Sequence, residues 1–196
     1  MNKPRWLRYV KKNNKAYFTV PNKFTEKITD ILPKYVDSIL EIGCTNGRDF
    51  KQFEGKFNLY GADMFSSDEI DWVCDKNKVK YYKITLETFL EVLDKDEFKD
   101  LSKFVFLSHF TLCYNRPKVV PILKKLIKNG CKNIIIKEPL PGDYAHQRIY
   151  LTDLDKIFIK RKTGWERNDS THICCYVDNK KELIEKYLDV SIDPKL

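Results

Sequence analysis

The stretch Leu40-Glu41-Ile42-Gly43-Cys44-Thr45-Asn46-Gly47-Arg48-Asp49-Phe50 reads as the end of a buried strand, a glycine-bearing turn and the start of a helix. The strand, Ser38-Ile39-Leu40-Glu41-Ile42, is short and apolar enough to be covered on both faces, as strands of parallel sheets are. Gly43 lets the chain turn tightly, Gly47 permits close backbone approach, and a helix start beyond them offers amide donors without intrahelical partners. A ligand bound there lies beyond the carboxyl ends of the strands, where open parallel sheets place their ligands.

Outward from this turn the same rhythm repeats. Phe57-Asn58-Leu59-Tyr60-Gly61-Ala62, Phe104-Val105-Phe106-Leu107 and Asn133-Ile134-Ile135-Ile136 are further buried-strand patterns, and Val79-Lys80-Tyr81-Tyr82-Lys83-Ile84 is a more polar one rich in strand-forming residues. Helix patterns fall between them at Arg48 to Phe53, Leu86 to Leu93 and Lys118 to Lys128, the last through Val119, Val120, Leu123, Leu126 and Ile127. Pro117 suits the first turn of that helix and Asn129-Gly130 its end. Lys23 to Tyr35 reads as an amphipathic helix ahead of the first strand. Strands alternating with helices define an α/β fold with a central, mostly parallel sheet and helices on both faces.

The second strand extends to Leu59-Tyr60-Gly61-Ala62-Asp63-Met64, placing a carboxylate at its tip, where one can accept hydrogen bonds from both hydroxyls of a ribose. The chain has 196 residues, 42% of them hydrophobic, which suits a single domain with its own core. The expected division is an N-terminal helical cap over 1–36, a ligand-binding core over 38–138 and acceptor-side loops with a C-terminal helix and strand over 139–196. No apolar run approaches the roughly 20 residues of a membrane span, and no apolar stretch follows Met1-Asn2-Lys3-Pro4-Arg5-Trp6, so a cytoplasmic protein without membrane partners is expected. The cysteines Cys44, Cys74, Cys113, Cys131, Cys174 and Cys175 show no Cys-x-x-Cys spacing and read as reduced thiols, with no metal site. Lys and Arg outnumber Asp and Glu by 36 to 28, a net charge of +8 spread along the chain. That charge attracts anionic partners without specifying one.

Glu41-Ile42-Gly43-Cys44-Thr45-Asn46-Gly47 resembles the first motif of the class I, Rossmann-like S-adenosylmethionine-dependent methyltransferases: an acidic residue, then three glycines at alternate positions. Two of those glycines are present, and Thr45 stands at the middle one. The resemblance covers about Ser38 to Glu138. It implies S-adenosyl-L-methionine as cofactor, with Glu41 near its methionine end, the backbone of Gly43, Cys44, Thr45 and Gly47 around it, and Asp63 and Met64 at the ribose and beyond. It also implies Thr85 and Leu86 at the adenine, where an Asp and an apolar residue are usual. Leu107-Ser108-His109-Phe110-Thr111-Leu112 resembles the fourth motif, placing Ser108 and His109 beside the transferred methyl group. The Asn/Asp-Pro-Pro-Tyr tetrapeptide of many base-methylating relatives is absent from it.

A hydroxyl acceptor benefits from a base, and His109 and Glu138 are the candidates, because an imidazole titrates near neutrality and Glu138 follows the fifth strand. Asp143, Tyr144 and His146 follow in a loop suited to shaping an acceptor pocket, while Trp165 and His172 read as loop and core residues. A nicotinamide-dependent oxidoreductase fits less well, since Gly43 to Gly47 lacks the Gly-x-Gly-x-x-Gly spacing that seats a pyrophosphate. A non-catalytic Rossmann-like binding protein is the other alternative. The expected acceptor is a small polar molecule such as a sugar or other metabolite, with RNA or protein the alternative. His172 to Val177 is a strand candidate, Asn179 to Leu188 a helix, and Val190-Ser191-Ile192 a candidate sixth strand.

Overall fold

The computed structural model describes residues 25, 28–69, 71–109, 111–112, 116–139, 159–165 and 169–177. Their centre is a seven-stranded sheet of β1 (Ser38–Ile42), β2 (Asn58–Asp63), β3 (Val79–Lys83), β4 (Phe104–His109), β5 (Asn133–Pro139), β6 (Ile159–Trp165) and β7 (Asp169–Val177), in the spatial order β3-β2-β1-β4-β5-β7-β6. Strands β1 to β5 pair in parallel, whereas β7 is antiparallel to both β5 and β6. Strand β6 therefore runs the same way as β1 to β5, and β7 is reversed between it and β5. Of the five parallel strands legible in the sequence, β1, β2 and β3 stand within one residue of their expected bounds, and β4 and β5 run two and three residues further.

Alternation along the strands sorts the core into two layers. One face carries Leu40, Ile42, Ala62, Phe104, Phe106, Ile134 and Ile136 under α2 (Phe89–Val92) and α3 (Arg116–Lys128); the other carries Ile39, Leu59, Val105, Leu107 and Ile135 under α1 (Ile28–Ile31), Phe50 and Phe53. Helix α3 buries Val119, Ile122, Leu123 and Leu126, the i, i+3, i+4, i+7 stripe of a helix packed on one side, and leaves Ile127 exposed. Its end is a Schellman turn: Gly130 has φ +86°, its N–H donates to the Ile127 carbonyl, and the Cys131 N–H donates to the Leu126 carbonyl. Asn129 at that end is buried and its amide donates to the carbonyls of Leu93 at 2.8 Å and Phe98 at 2.7 Å, tying α3 to the segment after α2.

The helix patterns ahead of α3 end early or give shorter turns, whereas α3 starts two residues before Lys118. Helix α1 stops ahead of Pro33 rather than reaching Tyr35, because the residue before a proline is disfavoured in the helical region. The pattern from Arg48 to Phe53 forms one 3-10 turn, Phe50–Gln52, and Gly55 at φ +74° redirects the chain two residues after Phe53. Phe50 and Phe53, spaced three apart and fully buried, are served by that single turn as well as by a helix. Leu86 to Leu93 keeps only the turn of α2. The sixth strand is Ile159–Trp165, a stretch containing Lys160, Arg161 and Lys162 that lacks the apolar pattern of a covered strand. It lies at the sheet edge, where charged residues discourage pairing with other chains. His172 to Val177 falls within β7. Val190-Ser191-Ile192, the helix pattern Asn179 to Leu188, the segment before Thr25 and the loop residues Asp143, Tyr144 and His146 lie outside the described residues. Among those described, no helix is long and apolar enough to cross a membrane, and no group of His, Cys, Asp and Glu is arranged to hold a metal ion.

Candidate active site

Parallel pairing brings the carboxyl ends of β1, β2, β3 and β4 to one edge. The Gly43 N–H donates to the Ala62 carbonyl at 2.7 Å and the Ile84 N–H to the Asp63 carbonyl at 2.7 Å, so the turn after β1, the tip of β2 and the exit of β3 are laced together. Ser108 stands in register with Ile42 and is buried; His109 follows it at the tip of β4. Glu138 belongs to β5 and is in backbone register with His172 of β7, while Trp165 closes β6 opposite Asp169.

The β1 turn holds three residues at positive φ: Gly43 at +75°, Thr45 at +49° and Gly47 at +71°. Thr45, the residue at the middle glycine of the motif, thus adopts the left-handed backbone that glycine takes without penalty and a β-branched residue takes at a cost. Its N–H donates to Asp63 Oδ2 at 2.9 Å, and Asp63 Oδ1 accepts from the Met64 N–H at 2.6 Å. Burial raises the Asp63 carboxyl above its usual range, opposed by the backbone amides of Thr45, Met64 and Phe65. Two carboxylate oxygens offer about four acceptor sites, so a carboxylate accepting three amides retains capacity for a hydroxyl donor. Met64, the next residue, is 51% exposed. Thr85 and Leu86 follow β3, and the Thr85 N–H is held by Thr88 Oγ1 at 3.1 Å.

The room beside both glycines is taken by the chain itself. A Cβ on Gly43 would meet Thr111 Oγ1 at 1.8 Å, and one on Gly47 would meet Cys74 Sγ at 2.4 Å and the Trp72 ring at 3.0 Å. The Trp72 segment is anchored there by Val73 N–H to the Asn46 carbonyl at 2.9 Å, the Trp72 indole to the Ser67 carbonyl at 3.0 Å, and an edge-on contact of Trp72 with Tyr81. Cys44, Cys74 and Cys131 are free and buried, and burial raises each thiol, Cys74 to about 11 and Cys131 to about 12, which keeps them protonated at neutral pH.

Under the turn lies a polar cluster that sequence reasoning did not assemble. Glu41 is 3% exposed and its Oε2 has no hydrogen-bond partner among the described residues. Burial is the main cause that raises its carboxyl well above the usual range; Asp49 and, more weakly, Asp63 push the same way, and Arg48 opposes. Asp49 accepts from the Thr25 hydroxyl at 3.0 Å and lies 4.0 Å from Arg48 Nε. Arg48 Nη2 stands 3.4 Å from His109 Nδ1. A guanidinium has donors only, so a hydrogen bond across this contact requires Nδ1 to accept, which in a neutral ring places the proton on Nε2. The signal for the cluster was the placement of Arg48-Asp49 directly after the turn, but which charges face one another depends on the turn's path.

No family model and no curated protein sequence matches this chain. Its structure is similar to that of an S-adenosylmethionine-dependent methyltransferase from Archaeoglobus fulgidus, with a TM-score of 0.58 at 12% identity over 88% of this chain and 100% of that one. An S-adenosylmethionine-dependent methyltransferase from Aquifex aeolicus gives 0.55 at 14% identity over 89% and 98%. The plantazolicin methyltransferase BpumL, solved with a desmethylPZN analogue and S-adenosylhomocysteine, gives 0.58 at 11% identity over 88% and 89%. The chain has the class I, Rossmann-like methyltransferase fold.

Proposed function

We propose that this protein is an S-adenosylmethionine-dependent methyltransferase whose cofactor lies along the β1 turn. The observation that carries the reading is the buried Glu41 Oε2, without a partner among the described residues, beneath a turn with three positive-φ residues and beside a carboxylate at the tip of β2. A carboxyl oxygen withdrawn from water with no partner costs stability until a donor arrives. The amino group of the cofactor's methionine end is such a donor, so the residues fit it. Asp63 receives the ribose hydroxyls, Met64 offers an exposed apolar surface to the adenine, and Thr85 and Leu86 flank it. The backbone of Gly43, Cys44, Thr45 and Gly47, with Ser108, completes the contacts.

When bound, S-adenosylmethionine supplies a methyl group on a sulfonium, whose thioether leaves readily. The chain's task is then to align an acceptor atom with that methyl and exclude water. His109, carrying its proton on Nε2, acts as a donor to an acceptor oxygen; serving as a base through Nε2 would require the other tautomer and the loss of the Arg48 contact. Glu138 is then the candidate base for a hydroxyl acceptor. The acceptor is a small polar metabolite, with RNA or protein as the alternative suggested by the net charge of +8. Incubating the full chain with cofactor labelled in the methyl group, against metabolite fractions, RNA and protein, tests this: label should enter the metabolite fraction. Label in RNA or protein would overturn the acceptor class, and none in any fraction would favour a binding protein without catalysis.

A further inference from the structure

Three carboxyl groups converge on the β1 turn from different elements: Glu41 from β1, Asp49 from the turn and Asp63 from β2. Two of them have donors, Asp49 from the Thr25 hydroxyl of the N-terminal helical segment and Asp63 from backbone amides, whereas Glu41 Oε2 has none among the described residues. Among the described residues, the other titratable or charged groups around Glu41 are Arg48, which lies beside Asp49 and meets His109 of β4, and the thiols of Cys44 in the turn and Cys74 in the segment packed on Gly47. Among these described groups, one guanidinium thus stands against three carboxyls, beside Asp49 and within electrostatic reach of Glu41. An ionised Glu41 would hold Oε2 away from water and without a donor among the described residues, so its neutral form is favoured, and burial with the neighbouring acids acts in the same direction.

We propose that Glu41 is a neutral carboxylic acid in the ligand-free protein and that it surrenders its proton to solvent when the ammonium group of the cofactor docks against it. The inference rests on reading the turn as a cofactor site. Only the O–H bond of Glu41 is broken: the acid and the ligand ammonium become a carboxylate–ammonium pair, and the proton passes to buffer. Binding is then linked to pH, with affinity rising up to tenfold per unit below the Glu41 titration in the free protein and levelling off above it. A ligand that keeps the adenosine and lacks the amino acid, such as 5'-methylthioadenosine, has no ammonium to offer and leaves the Glu41 proton in place.

The test is calorimetric titration of the full chain with S-adenosylhomocysteine at one neutral pH in phosphate and in Tris, buffers of very different ionisation enthalpy. The expected result is a binding enthalpy that differs between the buffers by the heat of taking up about one proton per ligand. 5'-Methylthioadenosine should give the same heat in both, as should S-adenosylhomocysteine with Glu41→Gln. Binding of S-adenosylhomocysteine to the wild-type protein with buffer-independent heat, or with net proton uptake, would overturn the proposal while leaving the cofactor reading intact. Absence of binding by both ligands would overturn the cofactor reading and the proposal with it.

Discussion

Replacing Gly43 with alanine tests whether the β1 turn is built as described. Its φ of +75° costs an L-residue roughly 1–2 kcal/mol. The new methyl would stand 1.8 Å from Thr111 Oγ1 and 2.7 Å from both Cβ and Cγ2 of the same side chain. Rotating Thr111 does not clear its own Cβ, so the segment after β4 must shift, which costs roughly 1–3 kcal/mol by comparison with overpacked cores. Losing the Thr111 hydroxyl bond to the His109 carbonyl, 3.2 Å long, adds about 0.5–1.5 kcal/mol. The sum is a destabilisation of roughly 2.5–6.5 kcal/mol. Urea unfolding followed by circular dichroism reads it as a lower midpoint at unchanged slope. Because the clash is with one side chain, Gly43→Ala combined with Thr111→Gly should cost about 1–3 kcal/mol less than the two changes added, leaving the backbone term behind. A loss below about 1 kcal/mol for Gly43→Ala, or strict additivity with Thr111→Gly, would refute the contact and the turn geometry together.

Three further outcomes follow from the same site. Thr45→Gly relieves a left-handed backbone costing roughly 1–2 kcal/mol against a glycine entropy penalty of roughly 0.5–1, a net gain of up to about 1.5 kcal/mol, so it should raise the thermal midpoint by up to about 6 °C; a fall would mean that the threonine side chain holds the turn. Glu41 is raised by burial, so its contribution to stability is present below the unfolded-state titration near pH 4.3 and is lost as pH rises through the folded value. Wild-type stability should therefore decline relative to Glu41→Gln as pH rises above about 4.3, by up to about 1.4 kcal/mol per unit; parallel pH profiles would show Glu41 ionised throughout. Asp63→Ala should weaken S-adenosylhomocysteine binding by roughly 1.5–3 kcal/mol in equilibrium dialysis, and unchanged affinity in a folded variant would remove Asp63 from the site.

How much of this was legible in sequence depends on what each element needs. Strands β1 to β5 are covered on both faces or carry strand-forming residues, and their runs appear in the sequence almost at their observed bounds. Strand β6 has one neighbour and a Lys160-Arg161-Lys162 centre, so it imposes no apolar pattern, and its place next to β7 comes from pairing that no local signal announces. Helical spacing correctly located Val119, Leu123 and Leu126, yet placed Ile127 where Ile122 is buried, because adjacent apolar residues leave the rotation of a helix open. The turn after β1 was readable from Gly43 and Gly47, and Thr45 reads differently with φ known, since it takes glycine's conformation without glycine's freedom. The contacts of Thr111, Trp72 and Cys74 with the turn arise between distant segments and were invisible, as was the facing of Arg48 with Asp49 and His109.

A crystal structure of the protein with S-adenosylhomocysteine tests the central claim most directly. The ribose hydroxyls should lie within hydrogen-bond distance of Asp63, the adenine beside Met64, Thr85 and Leu86, and the amino group against Glu41, with the sulfur on the side of Ser108 and His109. Ligand density away from the carboxyl ends of β1, β2 and β4, or a saturated crystal in which Glu41 Oε2 still has no partner, would contradict the account.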